Sequence, residues 1–168
     1  MLSCSWFRMS QNTSPARSFT SAVEWRDFEM SQSWEVIQEG LFHYPLDPGQ
    51  KLALIANRCT GCGKAFFPRR SLCPHCFEEG VLEDISLDHR GIIYASTVVH
   101  IPSPAGIKAP YAYGYVQIPK NQIRIFALFT GADPFTFKPG QEVELVVEPV
   151  SENHQGQDII GYKFKPIT

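Results

Sequence analysis

The chain has 168 residues, of which 43% are hydrophobic and 19% are charged, with a net charge of −2 and a sequence pI of about 6.2. This length accommodates one domain or two small ones around a folded core. The slightly negative charge offers no electrostatic attraction to nucleic acid or to an acidic membrane, and no apolar run approaches the roughly 20 residues that cross a bilayer.

The first 23 residues have a distinct composition, with Arg8, Arg17, six serines and no acidic residue. We predict a flexible tail over residues 1–22, or an extension upstream of a start at Met9 or Met30. A mitochondrial transit peptide has a similar composition and is the alternative. Because no secretory signal peptide is recognisable, we expect a cytoplasmic protein.

Residues 23–50 are predicted to form an N-terminal helical segment and a connector. Apolar residues recur there at helical spacing, at Trp25, Phe28, Trp34, Ile37 and Leu41. A stretch rich in Pro and Gly, from His43 to Gln50, then follows as the connector. An apolar stripe with two tryptophans must be buried, either on its own domain or on a partner protein, and the sequence leaves both open.

Four cysteines in two closely spaced pairs are the most informative motif: Cys59, Cys62, Cys73 and Cys76. Each Cys-x2-Cys pair predicts a short knuckle that directs two thiolates to one centre, and four thiolates at about 2.3 Å suit tetrahedral Zn²⁺. Glycines in and after the first knuckle allow the sharp turn that it needs. We therefore predict a structural zinc site in a ribbon over residues 51–80, where neighbouring aromatic residues fill a small core.

The cysteines have other interpretations. Two disulfides would need an oxidising compartment, and a redox Cys-x-x-Cys motif usually stands alone at the start of a helix. An iron centre with the same four ligands, or His75 in place of Cys76, is compatible with the spacing. A closed four-thiolate site has no open coordination position, which favours an architectural role over metal catalysis.

The pattern over residues 81–168 is that of β structure. Alternating or β-branched segments predict five strands, at Ile92–Ile101, Tyr111–Ile118, Ile123–Phe129, Glu142–Glu148 and Ile159–Phe164. Five antiparallel strands of this length favour a closed barrel of the OB type, and a small sandwich is the alternative. The predicted fold class is therefore mainly β, with N-terminal helices, a rubredoxin-like zinc ribbon and a five-stranded OB-fold barrel.

The sequence contains no recognised catalytic motif, neither a Gly-x-Ser-x-Gly elbow nor a phosphate-binding glycine loop. His100, at the end of a long strand, is a candidate general base, although a single strand-end histidine is more often structural. The Pro-rich loop that contains Lys108 has the character of a ligand-binding loop. Strand aromatics are compatible with single-stranded nucleic-acid binding as an alternative function, but such proteins normally combine them with a basic groove.

The order of these parts resembles an acyl-CoA-associated family of zinc-ribbon and OB-fold proteins, formerly a domain of unknown function. The resemblance covers about Ser31 to Ile167. It rests on four segments: RCTGCGKAFFPRRSLCPHC (58–76), GIIYASTVVH (91–100), APYAYGYVQI (109–118) and FKPGQEVELVVEPV (137–150). The ribbon alone is generic, whereas the ribbon followed by the Thr-Val-Val-His, Ala-Pro-Tyr and Pro-Gly-Gln-Glu-Val segments is much more specific.

Members of this family typically bind thiolase-fold enzymes, and some join acyl-CoA hydratases or steroid side-chain aldolases. The resemblance therefore implies a partner subunit of a hetero-oligomer that is not catalytic alone and has no catalytic residue of its own. Such a subunit supports the active site of a thiolase and its CoA or acyl-CoA ligand. The resemblance also implies structural Zn²⁺ at the cysteine quartet and CoA contacts at Phe67, Arg69 and Lys108.

Overall fold

The computed structural model describes residues 34–43 and 52–167, and these residues are almost entirely β. Ten strands follow one another along the chain: β1 (Trp34–Val36), β2 (Phe42–His43), β3 (Ala53–Cys59), β4 (Ala65–Phe66), β5 (Leu82–Ser86), β6 (Arg90–Val99), β7 (Tyr111–Ile118), β8 (Ile123–Phe129), β9 (Glu142–Glu152) and β10 (Asp158–Pro166). Within these ranges the only helical elements are two 3-10 turns, Pro119–Asn121 and Pro134–Thr136. None of the described helices has the length and apolar character needed to cross a membrane.

Strands β6 to β10 close into a barrel. Their hydrogen-bonded order is β6–β7–β8–β10–β9, and β9 pairs again with β6. The pairings are antiparallel except that of β8 with β10, where Lys163 lies opposite Leu128 in parallel register. Insertion of the fifth strand between the third and the fourth closes an OB-type barrel rather than a sandwich. The predicted five-stranded barrel is confirmed, and the predicted strand ends differ from the observed ones by at most four residues.

Alternate side chains of the strands fill the barrel. In β7, Val116 and Ile118 point inward and are fully buried, while the tyrosines between the inward residues point outward. Phe164 of β10 is the largest fully buried side chain. Gly114 occupies another inward place on β7, where an added Cβ would overlap the backbone oxygen of Ala95 on β6. The close approach of these two strands therefore requires glycine.

The second sheet forms the ribbon. Its central strand is β3, which pairs antiparallel with β2, β4 and β5. The last residue of β3 is Cys59, the first of the four cysteines of the predicted ribbon. Leu54 and Ala56 of β3 belong to the same buried cluster as the interior of the barrel. The base of the ribbon is therefore continuous with the barrel core, and the cysteines lie at its far end.

The predicted N-terminal helices are wrong where the described residues test them. Trp34–Val36 is a strand that runs parallel to Asp158–Ile160 of β10, and the next element, Phe42–His43, is also a strand. Backbone pairing explains the difference, because β8 pairs with β10 only at Lys163 and Phe164. Residues Asp158 to Ile160 of β10 therefore lack β8 as a neighbour on that edge. Strand β1 pairs with the backbone N–H and C=O groups of this edge. The other half of the predicted helical segment, the tail and the connector after His43 lie outside the described residues.

Candidate metal centre and adjoining groove

The four predicted metal ligands come together at the tip of the ribbon. All four Sγ atoms lie within 4.8 Å of one another. The separations are 4.0 Å from Cys59 to Cys76 and 3.8 Å from Cys62 to Cys73. Sulfurs at about 2.3 Å from a central Zn²⁺ form a tetrahedron with edges of about 3.8 Å. Both the spacing and the donor set therefore fit a structural zinc ion.

The first knuckle directs a backbone donor at its own sulfur. The N–H of Cys62 donates to the Sγ of Cys59 at 3.4 Å, and the N–H of Gly63 donates to the carbonyl oxygen of Cys59 at 2.8 Å. Gly63 has a φ of 72°, in the left-handed region that glycine adopts without strain. An N–H group directed at sulfur stabilises the thiolate form that a metal requires.

The second knuckle repeats this geometry with one difference. The N–H of Cys76 donates to the Sγ of Cys73 at 3.4 Å, and the N–H of Phe77 donates to the carbonyl oxygen of Cys73 at 2.8 Å. Phe77 thus takes the place of Gly63, with a φ of 60° that is strained for a bulky residue. Its side chain is 76% exposed. The turn requires a left-handed backbone conformation at this position, but neither the turn nor the metal site requires an aromatic side chain.

The surroundings of the cysteines shift their pKa values in opposite directions, and thiolates this close repel one another. The hydrogen bond with the Cys62 sulfur, followed by burial, raises the pKa of Cys76 to about 12. Burial opposes ionisation of Cys73, but hydrogen bonds from the N–H groups of Cys76 and His75, and from two neighbouring sulfurs, outweigh it and lower the pKa of Cys73 to about 7. Zn²⁺, when bound, offsets this repulsion and cross-links the two knuckles. The Nδ1 of His75 lies 4.0 Å from the Cys76 sulfur, as a neighbour of the cluster rather than a substitute ligand.

A groove of about 630 Å³ lies beside the second knuckle, between the ribbon and the start of β8. Much of its wall is apolar and comes from Phe66, Phe67, Pro74, Phe77 and Ile123. Among the described lining residues, the only titratable ones are Arg70 and Arg124. We call the site formed by these seven residues the knuckle groove.

The structure separates the three predicted CoA contacts. Phe67 lines the knuckle groove, and its ring packs edge-on against Tyr162 of β10 with centroids 5.5 Å apart. Arg69 instead forms an ion pair with Asp84 of β5 at 2.7 Å. Lys108 lies in the loop before β7, at the opposite end of that eight-residue strand, which spans about 25 Å. Only Phe67 is therefore at the groove, and a CoA contact at any of the three stays a prediction.

Sequence reasoning missed the contribution of the second knuckle to this groove. Superposing the two Cys-x2-Cys pairs places Phe77 opposite Gly63, a substitution that would have drawn attention to it. The candidate base His100 has its ring against Phe135, with centroids 5.6 Å apart. That contact fits the structural role expected of a strand-end histidine.

Two family models match the chain. One is described as the ChsH2 rubredoxin-like zinc ribbon domain and matches residues 47–81. The other is described as the ChsH2 C-terminal OB-fold domain and matches residues 85–148. The first match contains all four cysteines, and the second begins at the end of β5 and extends into β9.

Relatives match most of the same span. The chain is 41% identical over 127 residues to the benzoylsuccinyl-CoA thiolase subunit BbsA of Thauera aromatica, covering 76% of this chain and 85% of that one. It is 33% identical over 123 residues to a DUF35 domain-containing scaffold protein of Methanothermobacter thermautotrophicus, covering 71% and 90%. The solved structure of an Ltp2-ChsH2(DUF35) aldolase has the same fold, with a TM-score of 0.55 and 22% identity over 68% of this chain and 84% of that one.

Proposed function

Since the chain belongs to the DUF35 family of ChsH2-type zinc-ribbon and OB-fold proteins, we propose that it is an accessory subunit of a thiolase-type acyl-CoA enzyme complex. In this role it is not catalytic alone. A thiolase-fold partner carries the catalytic residues for acyl transfer to or from CoA and the accompanying C–C bond cleavage. This chain supports the partner's active site as part of a hetero-oligomer.

The observation that carries the proposal is the 41% identity to a protein named as a thiolase subunit, extending over most of both chains. The metal centre supports it, because four cysteine ligands complete the coordination of zinc and leave no position for a substrate. The two knuckles are then a rigid architectural unit.

We propose further that the CoA or acyl-CoA of the complex contacts this subunit at the junction of ribbon and barrel. Phe67 has the best support, because its ring lines the knuckle groove beside two arginines. Arg69 and Lys108 remain proposed contacts with less structural support, since Arg69 pairs with Asp84 and Lys108 lies beyond the other end of β7.

The test is co-purification. The tagged full chain is recovered from its native cell, and both the recovered complex and the isolated chain are assayed for CoA-dependent acyl transfer. We expect a thiolase-fold protein to elute with the chain, with activity in the complex and none in the isolated chain. Cleavage or condensation of acyl-CoA by the isolated chain would overturn the accessory role. Recovery of an acyl-CoA hydratase or an aldolase instead would change the class of partner.

A further inference from the structure

Phe77 carries two unfavourable features for which the zinc site gives no reason. Its backbone lies in the left-handed region, which is strained for a bulky residue other than glycine. Its aromatic ring is also 76% exposed, the largest exposed fraction among the large apolar residues that the structure describes. Gly63 occupies the equivalent place in the first knuckle, where glycine adopts the left-handed backbone without strain and exposes no ring. Strain that persists together with an exposed ring is a mark of a functional position.

The surroundings of Phe77 have the composition of a protein interface. The knuckle groove adds two further phenylalanines, a proline and two arginines. The groove is broad and open, which gives access to a segment of another protein as well as to the proposed CoA contact at Phe67. Aromatic residues and arginine are enriched in protein interfaces, and the residues that dominate binding are largely of these types.

The groove continues onto the outer surface of the barrel. The guanidinium carbon of Arg124, a groove residue on β8, lies 3.7 Å from the centre of the Tyr94 ring on β6. The groove therefore borders the outer side of β6. Two residues further along β8, Phe126 packs against Tyr113 and Tyr115 of β7, at centroid distances of 5.2 and 5.9 Å. We call Tyr94, Tyr113, Tyr115 and Phe126 the aromatic face. An apolar surface of this extent, rimmed by cations, marks an interaction site.

The charged residues that line the knuckle groove are both arginines. Arg70 and Arg124 are the titratable residues of the groove, and no outward residue of β7 or β8 is acidic. Arg124 is held in place by a hydrogen bond from its Nε to the Oε1 of Gln117 at 2.7 Å, as well as by the Tyr94 ring. A guanidinium fixed in this way suits a carboxylate on the bound partner.

We propose that the knuckle groove and the aromatic face form one docking surface, and that its occupant is an apolar segment with a carboxylate on the thiolase-type partner subunit. The inference rests on the proposed function for the identity of the partner. Phe77 is the central anchor of this surface. Burial of the Phe77 ring against the partner explains why the ring is exposed in the isolated chain. It also explains why a strained backbone that holds the ring beside the groove is retained.

Phe77→Gly separates docking from folding. Glycine adopts a φ of 60° without strain, so the variant should bind zinc at full stoichiometry and melt at the same temperature or higher. We expect its dissociation constant for the purified thiolase-type subunit to rise at least 10-fold, measured by calorimetry with full-length proteins. Arg124→Glu should also weaken binding about 10-fold and reduce its dependence on salt.

Phe135→Ala is the matched control, because Phe135 is also exposed but contacts His100 at the opposite end of the barrel. Its affinity for the partner should not change. Wild-type affinity in Phe77→Gly would overturn the docking surface and leave the proposed function intact. Zinc loss in that variant would assign Phe77 to the metal site and would also overturn it. If no thiolase-type subunit co-purifies with the wild-type chain, the proposed function is overturned, and the docking surface that rests on it is overturned as well.

Discussion

The ribbon and the barrel differ in the source of their stability. Between residues 60 and 81 the only buried residue is Cys73, so the ribbon tip has no apolar core of its own. Each barrel strand, in contrast, contributes at least one fully buried aliphatic or aromatic side chain. A segment as small as the tip cannot bury enough apolar surface to fold alone. The tip is therefore stabilised mainly by a metal ion, whereas the barrel is stabilised by apolar residues distributed over its five strands.

We expect the largest effect from Cys59→Ser, which removes one of the four cysteines that would hold the metal ion stabilising the ribbon tip. The variant should lose zinc, unfold the ribbon tip and weaken partner binding, while the barrel stays folded. Structural zinc contributes about 10–16 kcal/mol of apparent binding free energy in zinc-finger peptides, and the tip has no buried apolar core that could replace this contribution. Zinc content per chain reports on the metal site, and amide hydrogen exchange of residues 60–81 against β6–β10 distinguishes unfolding of the tip from unfolding of the barrel.

Thr60→Ala is the control for this prediction. Thr60 is the next residue, and its exposed hydroxyl donates to the carbonyl oxygen of Val81 at 3.2 Å without contacting the sulfurs. This variant should keep its zinc. Full zinc occupancy in Cys59→Ser would contradict the four-cysteine site. Loss of exchange protection in the barrel as well would show that ribbon and barrel unfold as one cooperative unit.

Gly114→Ala is the corresponding test of the barrel and should have the second largest effect. The new Cβ would overlap the backbone of Ala95 on the paired strand, so β6 and β7 must separate. We expect a loss of about 3 kcal/mol or more in the free energy of unfolding, measured by urea denaturation. Gly156→Ala is the control, because Gly156 has a φ of 75° but nothing within 4 Å of its added Cβ, so it should lose only about 1–2 kcal/mol. Equal losses in the two variants would show that the strands accommodate the methyl group.

The barrel could be predicted from the sequence because its signals are local. Alternation in Tyr111–Ile118 and the turn residues around it define a strand without reference to the rest of the chain. The same reasoning failed at Trp34–Val36, where helical spacing of apolar residues predicted a helix. That segment pairs with β10, which is distant in the sequence, and nonlocal backbone pairing outweighed the local pattern.

The candidate site divides in the same way. The spacing of the four cysteines encodes the geometry of their knuckles, so the convergence of their sulfurs on one centre could be predicted. The knuckle groove joins residues of the ribbon to Ile123 and Arg124 of the barrel, and no spacing rule connects them. Arg70 and Arg69 are adjacent in the sequence, yet only Arg70 lines the groove, because Arg69 pairs with Asp84.

Tyr162 joins the two regions and gives the smallest predicted effect. Its ring packs against Phe67 of the ribbon, and its hydroxyl donates to the carbonyl oxygen of Phe126 in the barrel at 3.0 Å. Burial raises the pKa of Tyr162 to about 12, above its ordinary value of about 10. Because the folded state holds the proton more tightly, this stabilisation is fully present below about pH 10 and is lost as the pH rises to about 12.

Tyr162→Phe keeps the ring contact between ribbon and barrel but removes the ionisable hydroxyl. At pH 8 we expect it to be about 1 kcal/mol less stable than wild type, because one hydrogen bond is lost. Wild type should lose up to about 2 kcal/mol between pH 10 and 12, so the difference should vanish or reverse in urea denaturation at pH 12. Tyr115→Phe, at a half-exposed ring on the outer side of β7, should show no such reversal. If the difference between Tyr162→Phe and wild type stays constant with pH, the hydroxyl ionises equally in the folded and unfolded states. Tyr162 would then be as accessible to water as a residue on the open surface, and the ribbon would not shield it.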